Sequence, residues 1–376
     1  MADHRRGWPS GETGLTTTVG SPDRWLLAGV ASPGPSGGAV RAHHLFTPLA
    51  RRTGARVTAA HGRRGLPALA LAVAAVSAAW LRPVAVASTQ LVHGRGLTLL
   101  RGRVRAVAVD LHDHPAFQAE ALGMPLDSGR RDRLDGLFEA NAAAFERLIV
   151  PSRSFVDLCS LPVDRTVVVT NGTDSRQIAP GPLPDEPTVA LVSGAAPGRG
   201  IELLLQAMGQ VRQAIPEAVL RLALSSTGPA SASYLADLAA SLSSQTWVRL
   251  ESVSYPGVGD FLAGASVMVV PHPPGEYYDA STPVKLFDAM ASGRPVVVTP
   301  RLETRRIVEE AAAGVIASDD ASGLAEAIVG LLVDPGRAEA LGRNGRQAAE
   351  ERYDWTVLGE QLADALLANP TQNASR

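Results

Sequence analysis

The chain has 376 residues, of which 45% are hydrophobic and 19% are charged, and its formal net charge is −2. This length allows two domains with full hydrophobic cores. The single cysteine, Cys159, excludes a disulfide framework and a cysteine metal cluster, so we interpret it as a small core residue.

The charge is distributed unevenly along the chain. Residues 1–174 hold 20 arginines against 14 acidic side chains, a net +6, whereas residues 175–376 hold 15 basic against 23 acidic side chains, a net −8. A basic amino-terminal half suits an anionic acceptor or peripheral contact with an acidic membrane surface, although scattered solvated arginines give the same sum. We predict no nucleic acid partner.

Two segments of the sequence, one polar and one strongly apolar, indicate where the protein resides. Residues 1–22 are polar, rich in Gly and Ser and without an apolar run, so we predict a disordered tail and no secretory signal. The most hydrophobic stretch, Leu66–Leu81, is mostly alanine and shorter than the roughly 20 residues of a bilayer span, so we predict a buried helix. These features favour a cytoplasmic protein, and the basic amino-terminal half allows peripheral membrane contact.

Strand-then-helix units repeat along residues 23–174, which is the pattern of a parallel sheet. The predicted strands are Trp25–Val30, Arg56–Ala60, Val84–Ala87, Ala106–Asp110, Leu148–Val150 and Thr166–Val169. The predicted helices are Ala39–Arg52, Leu66–Leu81, Leu91–Leu100 and Arg133–Arg147.

A second series of the same kind occupies residues 188–352, after a proline-rich linker at 175–187. Its predicted strands are Val189–Val192, Val219–Leu224, Val248–Leu250, Val267–Val270 and Val296–Val298, and its predicted helices are Ile201–Ala214, 323–333 and 336–351. A last helix, Trp355–Leu367, lies in a segment (353–376) that we expect to pack back toward the first domain. The predicted fold is α/β, with two doubly wound Rossmann-like domains facing across a ligand-binding cleft.

A glycine-rich loop ends in Gly37 and Gly38, between the first strand and its helix. Such glycines let the chain approach a ligand closely and offer helix-start amides to phosphate. No GxGxxG fingerprint follows the strand and no Walker lysine exists, which argues against a dinucleotide oxidoreductase and a P-loop enzyme.

The one lysine among 35 basic residues, Lys285, lies in the segment STPVKLFDAMASG. A cap at Ser281 or Thr282, Pro283 at the first position and Gly293 at the end predict a helix. Lys285 then falls in the first turn, where the helix dipole disfavours a cation unless an anion docks there. The alternative is a surface lysine paired with Asp288.

Arg199 precedes the first helix of the second domain, so we predict a second cation in a first turn and one anion shared with Lys285. A solvent-facing arginine is the alternative. Asp288, one turn beyond Lys285, is suited to accept hydrogen bonds from ribose hydroxyls, and Asp279 lies in a loop whose acids could bind sugar hydroxyls.

His112 directly follows a predicted strand, together with Asp113 and His114. Histidine there suits proton transfer or a hydrogen bond to a substrate hydroxyl. No further His or Cys has suitable spacing nearby, so we predict no metal site.

Several blocks in order resemble the retaining glycosyltransferases of family 4, over about Trp25 to Leu367. The strongest is STPVKLFDAMASGRPVVVTP at 281–300, which is similar to the family's donor-site helix and following strand. Shorter similar blocks are 149–152, 171–174, 193–205, 269–271 and 352–355. The resemblance implies the two-domain GT-B fold and a role in polysaccharide, glycoconjugate or natural-product biosynthesis.

The resemblance also implies roles for single residues. Arg199 and Lys285 would neutralise the departing donor diphosphate, and His112 would contact the transferred sugar. Asp288 stands where the family has a glutamate that holds the nucleotide ribose. The remaining donor-binding positions are Gly37, Gly38, Ser281, Thr282 and Pro283. The family's first acidic residue is replaced by Ala280, which moves the sugar contact to Asp279 or to the backbone.

We therefore expect a hexosyl transfer from a nucleotide diphosphate sugar to an acceptor hydroxyl, with retention at the anomeric carbon and without a metal or other cofactor. Two alternatives remain on the same fold. One is a nucleotide-sugar 2-epimerase, and the other is a non-catalytic partner subunit.

Overall fold

The computed structural model describes residues 25–29, 37–58, 84–89, 104–226, 228–254 and 257–368. The predicted tail at 1–22 and the predicted helices Leu66–Leu81 and Leu91–Leu100 lie outside these residues.

The first sheet contains six parallel strands in the order β2-β1-β3-β4-β5-β6. They are β1 (Trp25–Ala28), β2 (Arg56–Thr58), β3 (Val84–Ser88), β4 (Val104–Asp110), β5 (Arg147–Val150) and β6 (Thr166–Val168). The described helices of this domain are α1 (Gly37–Thr53), α2 (Pro115–Ala121), α3 (Ser128–Ala144) and α4 (Arg153–Leu158), with a 3₁₀ turn at Val163–Arg165.

The second sheet is also parallel, in the order β12-β11-β10-β7-β8-β9. Its strands are β7 (Thr188–Gly194), β8 (Val219–Ser225), β9 (Val248–Glu251), β10 (Val267–Val270), β11 (Val296–Val298) and β12 (Gly314–Ile316). The α/β prediction of two doubly wound sheets is confirmed. The chain order reverses between β7 and β10, and ligands of such sheets bind beyond the strand ends at this point.

Nine described helices accompany the second sheet or follow it. They are α5 (Ile201–Ala214), α6 (Pro229–Leu242), α7 (Val258–Ala263), α8 (Glu276–Ala280), α9 (Val284–Ala291), α10 (Leu302–Ala311), α11 (Ala321–Leu332), α12 (Pro335–Arg352) and α13 (Trp355–Leu367). The valine-rich central strands are buried on both faces, as parallel sheets require; every residue of β10 is buried.

The described chain passes from one domain to the other near Thr173 and again near Trp355. Backbone hydrogen bonds join these two segments. The Thr173 amide donates to the Tyr353 carbonyl, and the Trp355 amide donates to the Thr173 carbonyl, both at 2.9 Å. Beyond the second crossing, α13 packs on α1 and buries Trp355, Leu358 and Leu362 in the same core as Leu45 of α1. Residues 175–187 contain neither helix nor strand.

Among the predicted helices, α3 differs most from its predicted bounds. α3 covers 128–144 instead of 133–147, because the Asp127 carboxylate caps it by accepting from the Arg130 amide at 2.7 Å. At the other end Arg147 already belongs to β5.

Candidate active site

Lys285 is the second residue of α9, in the first turn as predicted. Pro283 is the N-cap and no side chain caps the helix. The Lys285 Nζ donates to Ser193 Oγ, at the end of β7, at 3.4 Å. Burial, and then the charge of Arg199, lower the pKa of Lys285 to about 7. The site therefore disfavours the protonated form of Lys285, and a bound anion would favour that form again.

The alternative, a surface lysine paired with Asp288, is not found among the described residues. Asp288 Oδ1 instead accepts from Thr173 Oγ1 at 2.7 Å, at the first interdomain crossing. Burial raises the pKa of Asp288 to about 7, the Thr173 hydrogen bond opposes this shift, and the nearby Asp174 charge adds to it.

Arg199 lies outside the first turn, contrary to the prediction. Helix α5 begins at Ile201, and its N-cap, Gly200, has a φ of 74°. A Cβ at Gly200 would lie 1.7 Å from the Pro271 carbonyl oxygen, so this position requires glycine. The helix begins only after Gly200, and Arg199 lies in the preceding loop. Its Nε is buried without a hydrogen-bond partner among the described residues. The Arg199 charge nevertheless acts on Lys285.

His112 lies just beyond β4 and is oriented by a buried ion pair. Its Nδ1 is 3.2 Å from Asp110 Oδ2, and Asp110 in turn accepts from the Arg41 guanidinium at 3.0 Å. Burial opposes a charge on His112, but the hydrogen bond to Asp110 and the charges of Asp110 and Asp113 together outweigh it and raise the pKa of His112. Burial likewise opposes a charge on Asp110, yet Arg41 and then His112 lower the pKa of Asp110 to about 2.

The glycine pair brings His112 and α9 together. A Cβ at Gly38 would lie 2.6 Å from His112 Nε2, and a Cβ at Gly37 would lie 3.3 Å from Val284 Cγ2. A side chain at Gly38 would displace the His112 imidazole, and one at Gly37 would press on Val284. The start of α1 therefore lies between a histidine of the first domain and the first turn of α9 in the second.

Residues 186–334 match the model of the family described as Glycosyl transferases group 1. The chain carries a group 1 glycosyltransferase domain. A GDP-mannose-dependent monoacylated alpha-(1-6)-phosphatidylinositol monomannoside mannosyltransferase of Corynebacterium glutamicum is 30% identical over 186 residues. The match covers 49% of this chain and 48% of that protein, so the chain spans about half the length of this relative.

The solved structures extend the similarity from residues 186–334 to the fold of nearly the whole chain. A sucrose-phosphate synthase from Thermosynechococcus elongatus has a TM-score of 0.74 at 20% identity and covers 91% of this chain and 98% of its own. HepE of Anabaena, in complex with UDP-glucose, has a TM-score of 0.70 at 15% identity and covers 91% and 99%. The GT-B fold predicted from the resemblance is confirmed.

Three further predicted residues surround the start of α9 in the glycosyltransferase domain. Thr282 is buried; its Oγ1 accepts from the Asn171 amide at 3.5 Å, and its carbonyl accepts from Asn171 Nδ2 at 2.6 Å. Ser281 is the C-cap of α8. The prediction that Ser281 or Thr282 caps α9 is wrong, because Pro283 occupies that position.

Asp279 is directed elsewhere. Its Oδ1 accepts from the Leu302 amide at 3.1 Å and lies 3.8 Å from the Arg301 guanidinium. The carboxylate therefore holds the first amide of α10, and neither of these partners is a predicted site residue.

Two residues of the site were not predicted. Arg41 is fully buried on the apolar side of α1, and a charge at that point of the helical pattern is the signal that could have identified it. His272 lies two residues beyond the end of β10, as His112 lies two residues beyond the end of β4, and this repeated position is its signal. His272 is 1% exposed.

The described residues contain no helix long and apolar enough to span a bilayer. They also contain no cluster of three His, Cys, Asp or Glu side chains with the geometry of a metal site.

Proposed function

We propose that the protein transfers a hexosyl group from a nucleotide diphosphate sugar to an acceptor hydroxyl, with retention of the anomeric configuration. The observation that carries this proposal is a buried Lys285 at the uncapped start of α9, which the Arg199 charge acts on and which Gly37 and Gly38 join to His112. A diphosphate supplies a negative charge to both cations.

The bond that breaks joins the anomeric carbon to the diphosphate, which leaves with the electron pair. Lys285, Arg199 and the first-turn amides of α9 stabilise the negative charge that develops on it. The acceptor oxygen bonds to the same face of the anomeric carbon, and its proton goes to the departing diphosphate. Because the cations are already in place, this stabilisation needs little reorganisation.

His112 binds the transferred sugar. Its Nδ1 is engaged by Asp110, so Nε2 is the nitrogen left beside Gly38 to hydrogen bond a sugar hydroxyl. Asp288 keeps one oxygen on Thr173 and offers the other to the nucleotide ribose.

The donor class follows from the relatives. The Corynebacterium glutamicum relative is described as GDP-mannose-dependent, and HepE was solved with UDP-glucose. We propose GDP-mannose and UDP-glucose as the first donors to test.

The test measures nucleotide release and glycoside formation from both donors with a panel of acceptors, and NMR of the product's anomeric linkage. Lys285→Ala should lower turnover by about a thousandfold, in keeping with the loss of a charge-stabilising group. Arg343→Ala is the matched control, since it removes an exposed cation of the same domain. Equal rates in wild type and Lys285→Ala would refute the proposal.

Further measurements test metal independence and the two alternative functions. Turnover should persist in EDTA, because two side-chain cations neutralise the diphosphate; loss that magnesium restores would overturn metal independence. Nucleotide release without a glycoside would instead indicate an epimerase, and absence of nucleotide sugar binding would indicate a non-catalytic subunit.

A further inference from the structure

His272 is a buried imidazole with no hydrogen bond to its ring. It directly follows Pro271 at the carboxyl end of β10, beside the point where the strand order reverses. Only 1% of the residue is exposed, and neither Nδ1 nor Nε2 has a hydrogen-bond partner among the described residues. A neutral imidazole always carries one N–H, so a buried donor is unsatisfied here, which costs free energy.

The packing fixes the ring in place. Its centroid lies 4.6 Å from that of Tyr278, whose hydroxyl donates to the Gly198 carbonyl at 2.5 Å. The His272 carbonyl accepts from Thr299 Oγ1 at 2.5 Å, which anchors the backbone. Gly200 approaches the adjacent Pro271 carbonyl so closely that no side chain fits. The imidazole is therefore held rigidly between the Arg199 loop and α8.

The described charges that shift the pKa of His272 are positive, and one of them, Arg301, is paired with Asp319. Burial lowers the pKa of His272 well below 6.5, and the charges of Lys285, Arg199 and Arg301 lower it further. These cations come from three different elements: α9, the loop after β7 and the residue before α10. Tyr278 is the other titratable group against the ring, and burial raises its pKa, so it stays neutral. The His272 imidazole is therefore a neutral hydrogen-bond donor close to cationic side chains.

We propose that His272 is a further donor-binding residue, whose ring N–H hydrogen bonds the diphosphate held by Lys285 and Arg199. The inference rests on the proposed function, because it requires that anion. The diphosphate satisfies the buried N–H and brings negative charge to Lys285 and Arg199, whereas Arg301 already pairs with Asp319. A neutral donor also adds a hydrogen bond without another charge to desolvate.

Two variants separate this role from simple packing. His272→Phe keeps a ring against Tyr278 but removes both nitrogens, whereas His272→Asn loses the ring and keeps an amide donor near the position of Nδ1. Isothermal titration with inorganic pyrophosphate and with UDP should show His272→Phe binding about tenfold more weakly than wild type, with His272→Asn between them. If His272 serves only as a core ring, the order reverses and His272→Phe matches wild type, which overturns the inference.

The imidazole itself gives a second readout. In ¹⁵N-histidine-labelled protein, the ring N–H signal absent from His272→Phe should shift downfield when UDP is added to wild type. An unchanged signal at saturating UDP overturns the inference.

Lys285→Ala distinguishes the two proposals. If it abolishes UDP binding while His272→Phe leaves binding unchanged, only the role of His272 fails. If both variants bind UDP as wild type does, the anion site fails, and the proposed function fails with it.

Discussion

Lys285 and Asp288 lie three residues apart on α9, and burial moves both pKa values to about 7 from opposite directions. Each group is thus held against its ordinary charge state. In a ligand-binding cleft, such a pair of shifted groups is typical of a functional site. The two shifts have different consequences, one for binding and one for stability.

For Lys285 we predict pH-dependent donor binding. Above about pH 7 the free protein increasingly holds a neutral amine, whereas the bound diphosphate requires the ammonium, so binding takes up a proton. The affinity for UDP-glucose should therefore fall between about pH 6.5 and 8.5, by up to about tenfold per pH unit. Titration calorimetry in buffers of different ionisation enthalpy measures both the affinity and the proton uptake.

Lys285→Arg is the control for this pH dependence, because arginine stays charged throughout the range. Its affinity for UDP-glucose should vary little over the same interval. A wild-type affinity that is flat across this interval would contradict the assignment of the titrating group.

For Asp288 we predict a stability that falls with rising pH. The pKa is about 7 in the folded protein and 3.8 in the reference state, so the folded state binds more protons between these values. The cost of the buried charge grows as pH rises through this window and is fully present above it. Asp288→Asn should accordingly stabilise the protein by about 2 kcal/mol at pH 8, with the gain vanishing near pH 4.

Urea unfolding at these two pH values measures the effect. Asp157→Asn, at an exposed position of α4, is the control for the loss of one carboxylate. An Asp288→Asn variant that is less stable than wild type at pH 8 would show that the Thr173 hydrogen bond outweighs burial.

At the scale of elements, a buried ion pair joins α1 to β4. Arg41 and Asp110 are 0% and 2% exposed, and Arg41 also donates to the Thr170 carbonyl at 3.0 Å and to Asn171 Oδ1 at 3.2 Å. Asn171 in turn holds Thr282, at the start of α9. One guanidinium thus links the orientation of His112 with the position of the donor helix.

We predict that Asp110→Ala destabilises the protein by about 3–5 kcal/mol, because it leaves the Arg41 charge buried without its counter-ion. The double variant Arg41→Met/Asp110→Leu should recover most of this loss, since it removes both charges and keeps the volume. Chemical denaturation of the three proteins at one pH makes the comparison. Equal destabilisation of the single and double variants would mean that packing, not charge, sets the cost.

The elements differ in how far the sequence predicts them. β10, β11, α5 and α13 have the predicted bounds, because a valine run or a regular apolar stripe decides them locally. The helix α8 was predicted as loop: it has five residues after Pro274 and Gly275, and contacts such as the buried Tyr278 fix it. Local patterns carry no information on such contacts.

The same division applies to the site. Lys285, His112 and Gly38 stand out in the sequence by composition or by position at a strand end, and the fold brings them together. Arg41 interrupts the apolar side of α1, but the pattern does not identify its partner, because Asp110 is 69 residues away. The environment of Asp288 depends on Thr173, which is 115 residues away. Pairings over such separations follow from the topology and not from the local pattern.

At the scale of the whole molecule, helix α8 of the second domain touches the first domain around α2. The hydroxyl of Tyr277 on α8 donates to Asp113 Oδ1 of the first domain at 3.0 Å. The Tyr278 hydroxyl lies 3.3 Å from the Ala121 carbonyl oxygen at the end of α2. The linker, by contrast, is bound to the second domain: Arg294 donates to the Pro182 carbonyl at 2.9 Å, and Arg346 donates to the Ile178 carbonyl at 2.6 Å.

Gly198 of the second domain lies against the Ala121 carbonyl of the first domain. Its φ is 74°, and a Cβ there would lie 2.3 Å from the Ala121 carbonyl oxygen, a backbone atom that cannot turn aside. Gly198→Ala should therefore force the two domains apart. We predict a larger radius of gyration in X-ray scattering with UDP bound, and a glycosyl transfer rate lower by about tenfold to a hundredfold, because water enters and the reacting groups separate.

Gly123→Ala is the matched control, since it lies on the other side of the same contact. Its φ of 66° imposes a similar backbone strain, but its nearest neighbour, Pro197 Cβ, is 4.0 Å away. This variant should share any small loss of stability and keep both the compact shape and the transfer rate. Identical scattering curves and rates for the two variants would mean that strain, and not domain separation, accounts for the effect at Gly198.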